Sequence, residues 1–236
     1  MLAFLGIGAQ KAGTTWLHRM LSQHPQLYLP EAKELHYWDK QYPQAPIQAY
    51  LDFFHRIDCL EGEITPSYAI LPISTIQVIH QYLPELKLIY SLRNPIERAW
   101  SAACMFLTKA QMELEEASDQ WFLDHFYSKN SRLRGDYETS IRQWLSIYPR
   151  ENLLLLDYDL IKSNPKLVLS SCCAHLGIHD FTLTQLETML LSSKVFAGQG
   201  YQLRPKLKQA LIDLYTPQIY SLSQYLNKDL SHWTQH

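Results

Sequence analysis

The residues best placed to do chemistry lie near the start of the chain, in the run Gly8-Ala9-Gln10-Lys11-Ala12-Gly13-Thr14-Thr15-Trp16. An apolar strand-like run, Ala3 to Ile7, precedes it, and an amphipathic helix from about Thr14 to Gln23 follows, ended by His24-Pro25. A strand that enters a helix through such a turn aims backbone N–H groups and the positive helix end at one point, which is how proteins hold an anion. Gly13 lets the backbone come close to a phosphate, Lys11 supplies charge, and Thr14 and Thr15 supply hydroxyls. In the usual nucleoside-triphosphate loop, the lysine directly follows the second glycine and precedes Ser or Thr. Here Thr14 follows Gly13 and the lysine lies two positions before it. Kinase sites also commonly carry an acid at the end of a neighbouring strand to hold Mg²⁺. The strand-like run Lys87–Leu92 ends instead in Arg93, a cation that points to a second phosphate and not to a metal.

The remaining elements supply the frame. Tyr28-Leu29, Cys59–Thr65 and Leu153–Leu156 read as further strands. The last is wholly apolar, as suits the centre of a parallel sheet. Ile73–Tyr82, Tyr137–Tyr148, Pro165–Leu176 and Pro205–Leu226 read as helices, with another starting at Pro95, where a first turn accepts proline, and reaching Lys109. Met112–Arg134 reads as helix plus loop and Ser192–Arg204 as loop. Alternating strands and helices predict an α/β, P-loop-like fold: a mostly parallel central sheet flanked by helices on both faces, within one domain spanning 1–236.

Composition narrows the class. A net charge of -2 over 236 residues argues against nucleic acid or an anionic membrane as the main partner. No apolar run reaches membrane-spanning length. Cys59, Cys104, Cys172 and Cys173 form no CxxC pair, so a reducing cytoplasm is the simplest setting. His175 and His179 with Cys172 could be drawn as a zinc set, but Gly177 is expected to end the helix between the histidines, and no metal is expected.

Two of these segments together resemble the sulfotransferases that use 3′-phosphoadenosine 5′-phosphosulfate (PAPS). QKAGTTWL, Gln10 to Leu17, is similar to their 5′-phosphosulfate loop, and SLRNPIERAWSA, Ser91 to Ala102, to their 3′-phosphate element. The resemblance implies that Lys11, Ala12, Gly13, Thr14, Thr15 and Trp16 hold the 5′ end of the donor, with Lys11 at the leaving-group oxygen. It implies that Arg93 and Ser101 hold the 3′-phosphate. Ser101 lies about two turns into the helix after Arg93, so both can face one phosphate. A third segment, Lys33-Glu34-Leu35-His36-Tyr37-Trp38, resembles the heparan-sulfate-type sulfotransferases and their bacterial relatives, which places the general base on Glu34. His36 is the alternative base, because an imidazole titrates near neutral pH. In an extended segment Glu34 and His36 would share a face. Pairing of Glu34 with Lys33 or Lys11 is the plainer reading.

GEITPSYA, Gly62 to Ala69, is similar to the family's next element, except that many members carry a lysine where this chain has Ile64. The loop expected to close over the nucleotide falls near Gly198, Gln199, Gly200 and Tyr201 and lacks the usual basic residues. The expected products are 3′-phosphoadenosine 5′-phosphate (PAP) and a sulfated carbohydrate or small molecule. A nucleotide phosphotransferase, or a nucleotide-binding relative without catalysis, stays open at this point.

Overall fold

The computed structural model describes residues 2–192 and 200–235. In chain order they form β1 (Leu2–Gly8), α1 (Thr14–Leu21), β2 (Leu27–Tyr28), a π-helical turn (Tyr37–Gln41), α2 (Ile47–Leu51), β3 (Leu60–Ile64), a 3-10 turn (Pro66–Ile70), α3 (Ile73–Tyr82) and β4 (Lys87–Leu92). There follow α4 (Pro95–Lys109), α5 (Asp119–Tyr127), α6 (Lys129–Gly135), α7 (Tyr137–Leu145), β5 (Leu153–Asp157), α8 (Tyr158–Ser163), α9 (Pro165–Leu176), α10 (Leu183–Ser192) and α11 (Pro205–Leu226). Their contacts divide them into two compact units, residues 2–92 with 142–192 and residues 93–141 with 200–235.

The first unit is built on a five-stranded sheet in the order β2-β3-β1-β4-β5, parallel at every pairing. Central β1 is almost fully buried, which explains why its sequence is a continuous apolar run without alternation. Gly6 of β1 stands opposite Ile64 of β3. A Cβ on Gly6 would lie 2.7 Å from the Ile64 Cγ1 atom, so the glycine gives Ile64 its place, 1% exposed. Strand order reverses about β1, and ligands of open α/β sheets bind beyond the carboxyl ends of the strands at that point.

The second unit is helical. Asn94 caps α4 by accepting from the Ile96 N–H, and its amide donates to the Trp233 carbonyl at 2.8 Å. Arg98 is fully buried. Its Nη2 donates to the Ser131 carbonyl and hydroxyl and to the Tyr215 hydroxyl, tying α4 to α6 and α11. His125 of α5 lies against Trp121 and Phe106. Burial, and then the Arg98 charge, push its pKa down to about 4.

Expected and observed elements agree closely for β1, α1, α3, β4, α4, α9 and α11. The polar stretch after Met112 resolves into α5 and α6, because Ser128 ends one helix and caps the next through the Ser131 N–H. The π-helical turn, α2, the 3-10 turn, α8 and α10 were not read from sequence; the first four are short and packed on tertiary partners. Among the described residues no helix is long and apolar enough to cross a membrane.

Gly6→Ala is expected to cost about 1–3 kcal/mol through overpacking against Ile64. Ile64→Ala in the same chain should recover part of that loss, a coupling measurable by urea unfolding. His125 has a depressed pKa, so the unfolded chain takes up a proton below about pH 6.5 while the folded chain stays neutral until about 4. Stability should therefore fall as pH drops through that window. His125→Phe should remove up to about one proton's worth of the slope, less whatever solvent screens, in melts recorded between those pH values.

Candidate active site

β1 ends at Gly8, and the turn after it is fastened to β4 on both sides. The Ala9 N–H donates to the Ser91 carbonyl at 2.8 Å, and the Ser91 hydroxyl donates to the Ala12 carbonyl at 2.8 Å. The Ala12 N–H closes the turn on the Ala9 carbonyl at 3.2 Å. Lys11 and Gly13 both adopt left-handed backbone conformations, with φ of 68° and 80°. At Gly13 a Cβ would also lie 2.6 Å from Ile161 Cδ1 of α8, so conformation and space both call for glycine. No side chain caps the start of α1, which leaves the first N–H groups facing outward for an anion. Ala12 and Thr14 are buried, Lys11 is half-buried and Thr15 is exposed. Trp16 lies on the buried face of α1 with Leu17, Met20 and Leu21.

The segment carrying Glu34 and His36 begins beside α1, where the Pro30 carbonyl lies 3.1 Å from the His18 ring nitrogen. Glu34 and His36 do not share a face of an extended segment, as the sequence reading expected. Each is left-handed, with φ of 66° and 55°, and His36 stands at the start of the π-helical turn. They nonetheless meet. His36 Nε2 lies 3.3 Å from Glu34 Oε2, and its Nδ1 lies 3.0 Å from both carboxylate oxygens of Asp39. Lys33 pairs with the other Glu34 oxygen at 2.5 Å, as the plainer reading had it. The result is a row of Lys33, Glu34, His36 and Asp39. Glu34 is its most exposed side chain, at 36%, so the carboxylate best able to reach a solute is the one resting on the imidazole. Such a row presents a carboxylate to solvent with its direction fixed by Lys33 and His36, the arrangement a general base needs.

Behind the row, the Tyr68 hydroxyl accepts from the Tyr37 N–H at 3.1 Å and donates to Glu63 Oε1 at 2.9 Å. Glu63, 2% exposed, also accepts from the Tyr50 hydroxyl at 2.6 Å and the Thr65 hydroxyl at 2.7 Å. Burial pushes its pKa up; the hydroxyls of Tyr50, Thr65 and Tyr68 and a hydrogen bond from the Leu35 backbone pull it back. Tyr50 stacks on Tyr37 with ring centres 4.7 Å apart.

The second unit holds the other predicted residues. Arg93 is held by Glu97, through Nη2 at 2.9 Å and Nε at 3.2 Å, and its carbonyl accepts from the Tyr137 hydroxyl. Ser101 lies half-buried two turns into α4. Gly200 is left-handed, with φ of 71°, and the Tyr201 carbonyl accepts from the Trp100 indole N–H at 3.0 Å. Gly198 and Gln199 lie outside the described residues.

Sequence reasoning missed Asp39, Glu63 and Tyr68. The signal for Asp39 is its spacing of three from His36, one helical turn. The signal for Glu63 is an acid in a strand whose neighbours are apolar. Among the described residues, no group of His, Cys, Asp and Glu is arranged to hold a metal ion.

Comparison with known proteins fits this geometry. The family model described as the sulfotransferase domain matches residues 4–194. The human bifunctional heparan sulfate N-deacetylase/N-sulfotransferase 2 is 28% identical over 226 residues, covering 84% of this chain and 24% of that protein; the chain thus spans about a quarter of that relative. A membrane-associated sulfotransferase of Dictyostelium discoideum is 37% identical over 103 residues, 42% of this chain and 21% of that protein. Among solved structures, a sulfotransferase from Alicyclobacillus acidocaldarius superposes with a TM-score of 0.78 at 25% identity, covering 100% of this chain and 99% of that one. A mouse sulfotransferase complexed with PAP shares the fold at a TM-score of 0.63 and 18% identity, over 95% of this chain and 89% of that one. With the family model matching most of its length, the chain belongs to the sulfotransferase family.

Proposed function

We propose that this chain transfers a sulfonate group from PAPS to a hydroxyl or amine of a carbohydrate or small molecule, releasing PAP. The observation that carries this reading is backbone strain. Of the five non-glycine residues with left-handed φ among the described residues, three are Lys11, Glu34 and His36. These are the residues to which the sequence assigns the chemistry. Left-handed conformations cost a non-glycine residue about 1–3 kcal/mol and gather at functional sites.

In this reading the turn from Ala12 to Trp16 holds the 5′ end of the donor through backbone N–H groups and the Thr14 and Thr15 hydroxyls. Lys11 balances charge on the bridging oxygen as it leaves. Glu34 takes the acceptor proton while the acceptor forms a bond to sulfur and the bond from sulfur to the bridging oxygen breaks. Asp39 holds His36, and His36 fixes the Glu34 carboxylate in place. Arg93 and Ser101 take the 3′-phosphate, Arg93 exchanging Glu97 for a better anion, and Gly200 and Tyr201 belong to the loop that covers the nucleotide. No metal enters the scheme, and a cytoplasmic setting goes with the same proposal.

Lys11→Ala and Glu34→Gln are each expected to lower turnover about 100-fold or more with labelled PAPS. The acceptors are an N-unsubstituted glucosamine-containing oligosaccharide, simple glycosides and small phenols. Equal turnover in all three proteins would remove the assignments. In calorimetry, PAP should bind without magnesium, and Gly13→Ala should weaken that binding at least about tenfold. Tight binding of Mg²⁺–ATP with no heat from PAP would identify a phosphotransferase instead.

A further inference from the structure

We infer that Glu63 is a positioning residue for the base, acting through the Tyr68 hydroxyl on the segment that carries Glu34 and His36. The inference rests on the reading of Glu34 as base and adds to it the part that fixes its place.

Glu63 is far from inert packing. A carboxylate 2% exposed in a strand interior is costly unless every lone pair finds a donor. Here the donors are the hydroxyls of Tyr50, Thr65 and Tyr68. Among the described residues no Lys or Arg pairs with it, and these hydroxyl dipoles balance it instead. One of the three donors, Tyr68, leads to the catalytic segment. Tyr68 passes its own acceptor lone pair to the Tyr37 N–H, directly after His36.

This geometry solves a specific difficulty. Glu34 and His36 hold left-handed conformations on either side of Leu35, and such a backbone persists only where its surroundings over-determine it. Local pairs on the row itself, from Lys33 and Asp39, fix side chains and not main chain. The main-chain N–H of Tyr37 is fixed from behind by Tyr68, which Glu63 holds in turn. A phenol that donates to a carboxylate becomes a better-ordered acceptor for the next N–H in line. Glu63 thus sets the direction of Tyr68, and Tyr68 sets the path of the backbone.

The test uses the full chain, labelled PAPS and whichever acceptor of the panel above the wild type turns over. Tyr68→Phe removes one hydroxyl and keeps the ring; Glu63→Gln keeps shape and puts an amide donor among donors. Each is expected to lower kcat about tenfold or more while KM for PAPS and affinity for PAP stay within about twofold, because the phosphate turn is untouched. In a Glu34→Gln background, the same changes should cost less than about twofold, since the base they position is already gone. Tyr68→Phe with wild-type kcat, or a loss of the same size in both backgrounds, would overturn the inference while leaving Glu34 as base. A silent Glu34→Gln would instead remove the underlying reading, and with it this one. If Glu63→Gln does not fold, Tyr68→Phe carries the test alone.

Discussion

A turn whose helix starts without a side-chain cap must settle its carbonyls elsewhere, and much of this molecule follows from that constraint. The Ala12 carbonyl is taken by the Ser91 hydroxyl, and the Ala9 N–H is taken by the Ser91 carbonyl. One residue at the end of β4 therefore secures the turn twice. The parallel sheet exists, in functional terms, to put the ends of β1 and β4 side by side so that this can happen. The apolar sequences of both strands are the condition for it, since strands covered on both faces have no solvent to fall back on.

The same economy governs the segment from Lys33 to Trp38. Its polar side chains meet one another and Asp39 in a row, and its main chain meets a buried layer of Tyr37, Tyr50, Glu63 and Tyr68. The 3-10 turn that presents Tyr68 begins directly after β3 and also packs Ala69 towards Gly8, where the phosphate turn starts. The anion turn and the carboxylate row are thus supported by one small element in the first unit.

How much of this was legible beforehand depends on how local each cause is. The turn from Gly8 to Trp16 could be read because glycine, lysine and threonine act through their own backbone and the adjoining strand and helix. β4 and α4 could be read because Pro95 and the apolar run mark their own limits. Glu34 and His36 were picked out through family resemblance, but their geometry was not, because the main chain beside them bonds to Tyr68, some thirty positions away. Asp39 escaped notice because the π-helical turn that aims it at His36 closes on tertiary bonds, including the Tyr37 hydroxyl to the Ala45 carbonyl. The polar stretch after Met112 hid two helices because serines divide it without any glycine or proline to mark the break.

Ile64 sits where the family resemblance leads one to expect a lysine, pressed over Gly6 in the neighbouring strand. That fit leaves little room for a longer side chain. A long cationic side chain at this position would have to thread out of an apolar slot shaped for a branched hydrocarbon, or else remain inside it uncompensated. A lysine placed here is therefore expected to weaken the pairing of β1 with β3 before it adds any cation at the strand ends.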